Sequence, residues 1–428
     1  MKQYKDSGID WIGRIPEGWK INKFKHLFRI KKIIAGKLGY DVLSVTQQGL
    51  KVKNITSNEG QVANDYTNYQ LVFPNDFVMN HMDLLTGYVD VSKQEGVTSP
   101  DYRTFYAIHP KDIINQYYLY IFQFCYKARL FYNLGQGVSN FGRWRLPAEQ
   151  QKEFMLPFPP TKEQVKIAEY LDEKCGEIDS LIELQEQMIE KLKAYKQSVI
   201  TEAVTKGLEP NAKLVPSGID WIGEIPAGWK VTVLRRFAHI ILGKMLQPSA
   251  KFKEDSLEQY ICAKDVHFEG IDTTDLKKMY FNQAEKELYQ IQKGDMLVVE
   301  GGAGAAGSCV LRNDLPDTYI QNSIMIVRPK QGIDIRYIQY FEFSLVKKGY
   351  VDFVCNKATI PHFTKDKLSS MPIPLPPLSE QQTIASYLDT KCAEIDALIA
   401  IKQAKIEELK DYKKSVIYEY VTGKKEVV

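Results

Sequence analysis

The sequence predicts an α+β protein made by tandem duplication, with two similar mixed domains and two long helices that pair as an antiparallel coiled coil with pseudo-twofold symmetry. Three observations carry that reading. The stretch SGIDWIGRIPEGWK at residues 7–20 returns at 217–230 with 12 of 14 positions identical. Setting Glu163 against Glu380, an offset of 217, makes 14 of the 20 positions from 163 to 182 identical. Between these repeated ends each half holds a divergent body in which short β-type runs precede one helical run. The predicted parts are a first domain at 1–160, a long helix at 161–207, a second domain at 208–378, a second long helix at 379–423 and a tail at 424–428.

The Trp-rich lead-ins at 7–20 and 217–230 read as structural. Asp10-Trp11 and Gly18-Trp19, with Pro16 between them, suggest a turn whose two indoles dock on the body behind it. Lys20, Lys23, Lys25, Arg29, Lys31, Lys32 and Lys37 follow with no acidic residue before Asp41. In the second half Lys230, Arg235, Arg236, Lys244, Lys251 and Lys253 appear with none before Glu254. A single run of like charge is often a solvated face. Two at the same place in a duplicated chain suit a phosphate backbone.

In the first body YDVLSVT, QLVFPNDFVMN and YRTFYAIHP read as strands, and NQYYLYIFQFCYKARLFYN as a helix. The second body answers with EQYICAKDV, GDMLVVEGG, NSIMIVRPK and RYIQYFEFSLVKKGYVDF. Pairing FPNDFVMNHM with QKGDMLVVEGG, and PDYRTFYAIHP with QNSIMIVRPK, gives both bodies one order of elements. Each closes on a Pro-rich strand, LPFPP at 156–160 and MPIPLPP at 371–377, because proline neither continues a helix nor donates to a ladder. Capping boxes then follow at Thr161 with Gln164 and at Ser379 with Gln382.

In the first long helix Ile178, Ile182, Ile189, Leu192 and Val199 recur at steps of three, four or seven, and Ile395, Ile399, Ile406, Leu409 and Val416 repeat the stripe. At ~1.5 Å per residue, roughly 40 residues make a rod of about 60 Å. Its economical partner is the equivalent rod. Polar residues interrupt the stripe at Gln185 and Lys402 and at Lys196 and Lys413, where such residues fix register.

Hydrophobic content of 44%, charged content of 25% and a net charge of +3 over 428 residues are globular values for two or three domains. The six cysteines include no CxxC pair and read as reduced thiols. No stretch approaches the ~18 apolar residues of a membrane span, so a soluble, cytoplasmic protein is expected.

Catalytic signatures fail one by one. Residues 300–307, EGGAGAAG, lack the Gly-Lys-Ser/Thr ending of a phosphate loop and precede a strand; Gly301 and Gly302 instead suit a loop where backbone closely approaches DNA. The six histidines show no metal-ligand spacing. Asp101 near Glu95 and Lys93 is a chance triple for a charged chain. No enzyme and no metal site is expected.

What remains is polar, aromatic-rich loops. In the first body they hold Thr46, Gln47, Gln48, Asn80, His81, Asp83, Arg103, Asn140, Arg143 and Arg145, beside Lys31, Lys32 and Lys37. In the second they hold Lys264, His267, Gln321, Asn322, Lys357, Thr359 and His362, with Lys244 and the glycines Gly301 and Gly302. Asn and Gln suit adenine edges, Arg and Lys guanine, and Asp can accept from cytosine. These are the candidate DNA-binding residues.

Taken together, the duplicated DWIG-IP-GW lead-in, the PFPPTKEQ and PLPPLSEQQ junctions, the YLD-KC-EID-LI helices and the paired divergent bodies resemble the specificity subunit of type I restriction-modification enzymes. The likeness spans nearly the whole chain. It implies a subunit without catalysis of its own, whose two target-recognition domains each read one half of a split, asymmetric site on double-stranded DNA. It also implies that the paired helices set the spacing and that two methyltransferase subunits bind, with motor-nuclease subunits joining for restriction. S-adenosylmethionine, ATP and Mg would then sit on those partners, and this chain would carry no cofactor. The rival expectation is a coiled-coil interaction scaffold that does not read DNA sequence.

Overall fold

A computed structural model describes residues 3–53, 65–137, 144–302, 304–355 and 361–427. The chain divides into two compact units, Met1–Glu186 with Gln403–Val428, and Gln187–Lys402. The division falls inside both long helices, so each unit holds one body, the near half of its own helix and the far half of the other.

In unit 1 the central antiparallel sheet has the order Phe28–Lys31, Arg103–Ala107, Phe77–Met79, Val89–Val91. The body helix Asn115–Lys127 covers it with Tyr118, Ile121 and Phe122. Phe77 and Phe105 stack at 4.9 Å, and Phe122 meets both edge-on, a geometry aromatic quadrupoles favour. Arg129, at φ 58°, breaks this helix from the short Leu130–Asn133. Unit 2 repeats the order as Ala238–Leu242, Ile324–Pro329, Met296–Val299, Ser308–Val310. Its body helix is Ile335–Lys347, and Gly349 at φ 83° does the work of Arg129. A further sheet, Lys277–Phe281, Ser256–Ile261, Thr318–Ile320, belongs to unit 2.

The lead-ins are structural, as read. Trp19 is buried and its Nε1 donates to Glu163 Oε2 at 3.0 Å; Trp229 makes the same bond to Glu380 Oε1 at 3.1 Å. The Pro-rich strands pair with the strands that follow the lead-ins, Met155–Phe158 with Lys20–Lys23 and Pro372–Leu375 with Lys230–Val233. Each proline connector is thereby fixed before its helix begins.

The long helices run Thr161–Lys206 and Leu378–Val421, equivalent starts under the 217 offset. Neither capping box forms as expected. Gln164 turns away from its own helix end, with Nε2 donating to Asp112 O and Pro159 O and Oε1 accepting from Ile114 N. In the second helix Gln381, not Gln382, has this part: Nε2 donates to Pro376 O and Gly332 O, and Oε1 accepts from Asp334 N. Ser379 lies inside the helix.

Within each unit the helix halves run antiparallel and bury part of the predicted stripe, leaving Ile182, Leu192, Ile399 and Leu409 half-buried. Ile178, Ile406 and Val416 are buried in unit 1, and Ile189 and Ile395 in unit 2; Val199 is half-buried, and its neighbour Ile200 takes the buried place instead. Two of the polar interruptions, Lys196 and Lys413, form matched pairs. In unit 1 Lys413 donates to both carboxylate oxygens of Asp179 at 2.6 and 2.7 Å, and in unit 2 Lys196 does so to Asp396 at 2.7 and 2.8 Å. Since Asp179 is largely exposed, the pair contributes no more than about 1 kcal/mol. Reversing one charge, as in Asp179→Lys, is expected to speed amide exchange around that turn, and Asp179→Lys with Lys413→Asp to restore it. Failure of the double reversal to restore protection would mean the pair does not set register.

Candidate nucleic-acid interface

In unit 1 the candidate loops converge beyond the sheet. The turn between Leu43–Thr46 and Gly49–Val52 is closed by Thr46, whose hydroxyl donates to Gly49 O and accepts from Gln48 N. Gln48 Oε1 accepts from Lys51, and Gln47 Nε2 reaches Thr86 O at 3.4 Å. That bond joins the turn to residues 80–88. There Asp83 Oδ1 accepts from the amides of Leu85 and Thr86, and Asn80 Oδ1 accepts from Met82 N. Gly87 is required, since a Cβ would lie 2.0 Å from Asp83 O. Leu146 N donates to His81 O and Leu84 N to Trp144 O, which brings Arg145 alongside.

His81 sits among these groups with its Nδ1 buried and without a hydrogen-bond partner. Burial, then the charges of Arg103, Arg145 and Lys32, push its pKa down to about 3. The imidazole is therefore neutral at physiological pH. Its neighbour Arg103 is buried, donating to Gln151 Oε1 and Leu146 O. Burial pulls that guanidinium down to about 10, still charged. Arg103 thus holds the loop and lends it charge, without a free face for a base.

The basic run is less free than its sequence. Lys31 pairs with buried Asp76, and Lys23 and Lys25 share Glu153. Lys32 and Lys37 are exposed, Lys37 over the Tyr40 ring at 5.4 Å. Asn140 and Arg143 lie outside the described residues.

Unit 2 gathers its own set. Lys244 and Gln321 form a backbone bridge, and Asn322 N donates to Lys244 O. Glu300 N donates to Ser323 O, and Gly301 bridges His362. A Cβ on Gly301 would meet His362 Nδ1 at 2.9 Å, and Gly302 has φ 91°. The glycines therefore let this loop lie against His362. Lys244 is buried and paired with Glu285, so its ammonium serves the fold. Lys264 and His267 lie around the small hairpin Val266–His267 with Gly270–Ile271, which packs on the strands flanking the glycine loop through Val266, Val299 and Cys309. Lys264 stands 3.7 Å from Asp265 and from Asp275, and Gln339 Nε2 donates to Phe268 O. Lys357 and Thr359 fall outside the described residues.

Sequence reasoning missed the exposed apolar residues beside these loops, Met245, Leu246 and Phe252 in unit 2 and Ile33, Ile34 and Leu38 in unit 1. Their signal was present: large apolar residues inside basic, turn-rich stretches, off any strand or helix period. Among the described residues no cluster of three or more His, Cys, Asp or Glu could hold a metal ion, and no helix is long and apolar enough to cross a membrane.

The family model described as the type I restriction modification DNA specificity domain matches residues 16–194 and again 226–411. A protein of Methanocaldococcus jannaschii that carries the name type I restriction enzyme MjaX specificity subunit is 26% identical, covering 96% of this chain and 95% of that one. The EcoKI specificity subunit of Escherichia coli is 26% identical over 47% of this chain and 44% of its own. Among solved structures, a chain described under complex assembly and conformational transition of the type I R-M system superposes with a TM-score of 0.71 at 14% identity, over 95% of this chain and 98% of that one. The HsdS subunit from Thermoanaerobacter tengcongensis gives 0.51 at 16% identity, over 96% and 98%. At those identities the two structures speak to the fold.

Proposed function

The chain belongs to the type I restriction modification DNA specificity family, and from that premise we propose that each unit reads one half of an asymmetric, split DNA site for methyltransferase partners. It is a specificity subunit, a role of sequence recognition and not of catalysis. The observation that carries the split reading is the repeat of one sheet order in two bodies whose loops share no side-chain pattern. Like scaffolds with unlike loops fit two different half-sites.

In this reading His81, Arg145, Lys32, Asn80, Asp83 and Gln47 face the first half-site, and Gln321, Asn322, Gly302 and His362 the second. Exposed lysines supply the salt-dependent attraction to phosphate. The long helices set the spacing between half-sites and bind two methyltransferase subunits. Exposed apolar side chains at equivalent positions support this: Leu181, Leu184 and Tyr412 in unit 1, and Leu398, Ile401 and Tyr195 in unit 2. An exposed apolar patch repeated in a duplicated chain suits two like partners. S-adenosylmethionine, ATP and Mg belong to the partner subunits, and motor-nuclease subunits complete a restricting complex.

The test is the adenine methylome of a methylation-free host carrying this chain with its neighbouring methyltransferase subunit. A split motif that appears only with the chain is expected. Exchanging residues 231–376 for those of a relative is expected to change one half of the motif and leave the other intact. Unchanged methylation after the exchange would end the proposal.

A further inference from the structure

Unit 2 leaves large apolar side chains uncovered where its candidate loops meet. Met245 is 72% exposed and Leu246 is 55% exposed. They follow Lys244, whose ammonium is already committed to Glu285. The Met245 sulfur lies 3.4 Å from Asn322 Nδ2. Asn322 in turn is tied through its amide to Lys244 O, and Gln321 bridges Lys244. One apolar side chain and the Asn322 carboxamide are thus presented together by a segment and a loop that hold each other in place.

That combination has a chemical match on DNA. In the major groove adenine shows the N7 acceptor and N6 donor that a carboxamide complements, and its partner thymine shows the C5-methyl, a distinctive apolar mark on the floor of that groove. The local charge points the same way. Lys251 and Lys253 are exposed in the same segment, with no acidic residue between Lys244 and Glu254. A protein partner would gain little from Met245 beside a carboxamide in a basic stretch, whereas a duplex gains from all three.

We propose that Met245, with Asn322 beside it, reads an A·T pair within the half-site of unit 2, the methionine packing on the thymine methyl and the Asn322 carboxamide bonding the adenine edge. This rests on the specificity reading above and names the base pair that its second domain requires.

The experiment uses the assembled complex of this chain with its methyltransferase subunit. Its probes are duplexes bearing the methylome-derived motif, in which each thymine of the half-site altered by the 231–376 exchange is replaced singly by deoxyuridine. Deoxyuridine pairs normally and lacks only the methyl. Burying one methyl contributes about 0.8 kcal/mol, so at one position a loss of about three- to five-fold in affinity is expected. With Met245→Ala, whose exposed site leaves folding undisturbed, that same uridine is expected to cost nothing further. A half-site of G·C pairs alone, tolerance of every uridine, or an equal loss in Met245→Ala would each overturn the inference while sequence-specific binding stands. A wild-type complex that bound all duplexes alike would overturn the specificity reading itself, and this inference with it.

Discussion

Gln164→Ala is expected to loosen the junction between the first body and its long helix by about 3 kcal/mol, and Gln381→Ala to do the same in the second. Both glutamines are fully buried. Each carboxamide satisfies three backbone groups at the mouth of the helix: the carbonyl before the last connector proline, a carbonyl ahead of the body helix, and an amide beside it. Truncation leaves buried groups unpaired at about 1–3 kcal/mol each, partly relieved where water enters. Gln164→Glu is expected to be worse, because it removes the donor and buries a charge. Hydrogen exchange resolves the effect by site. The Ile114 amide is expected to lose protection in Gln164→Ala while Asp334 keeps its own, with the reverse in Gln381→Ala. Protection unchanged at both amides would remove the clamp from the account of the fold.

That clamp shows what the sequence conveys and what it hides. The duplication, the order of elements in each body and the course of the long helices are legible, because identity at a fixed offset and apolar spacing are local signals. The starts at Thr161 and Leu378 agree under the offset that made Thr161 and Ser379 disagree. Two successive glutamines, Gln381 and Gln382, differ only in the face they present, and that face is set by a body some fifty residues earlier in the chain. The basic strip misleads for the same reason. Asp76 lies 45 residues from Lys31 and Glu285 lies 41 from Lys244, so a local tally of charge misses both partners. Arg103 reads from the sequence as a base contact and is a strut, its bonds made to residues 43 and 48 positions away. By contrast the pairing of Lys196 and Lys413 with aspartates follows from their placement within the stripe. A polar residue there must find a partner across the helix pair.

The second large effect belongs to Glu342, which lies in the middle of the second body helix where the first has Phe122. The two helices correspond through Tyr117 and Tyr337, whose hydroxyls donate to Val421 O and Val204 O at the ends of the long helices. Glu342 is buried, its Oε2 accepting from Ser308 Oγ at 2.6 Å and its Oε1 left without a partner. Burial pushes its pKa up to about 8, and the serine bond offsets that only in part. A carboxyl whose folded pKa is raised binds its proton more tightly in the native state. Its contribution is therefore fully present below the unfolded value near 4.3, declines as pH rises, and is lost once pH passes about 8. Unit 2 is thus expected to lose on the order of 3 kcal/mol between pH 5 and 8 from this group alone. Glu342→Gln keeps the shape and an acceptor for Ser308 while removing the ionisation. It is expected to match wild type near pH 5, to exceed it by that margin at pH 8, and to leave unit 1 unmoved. Denaturation midpoints read from exchange of the 335–347 amides across that range decide the matter. A wild-type profile parallel to that of Glu342→Gln would mean the carboxyl has found water or a donor, and that its burial does not govern its charge.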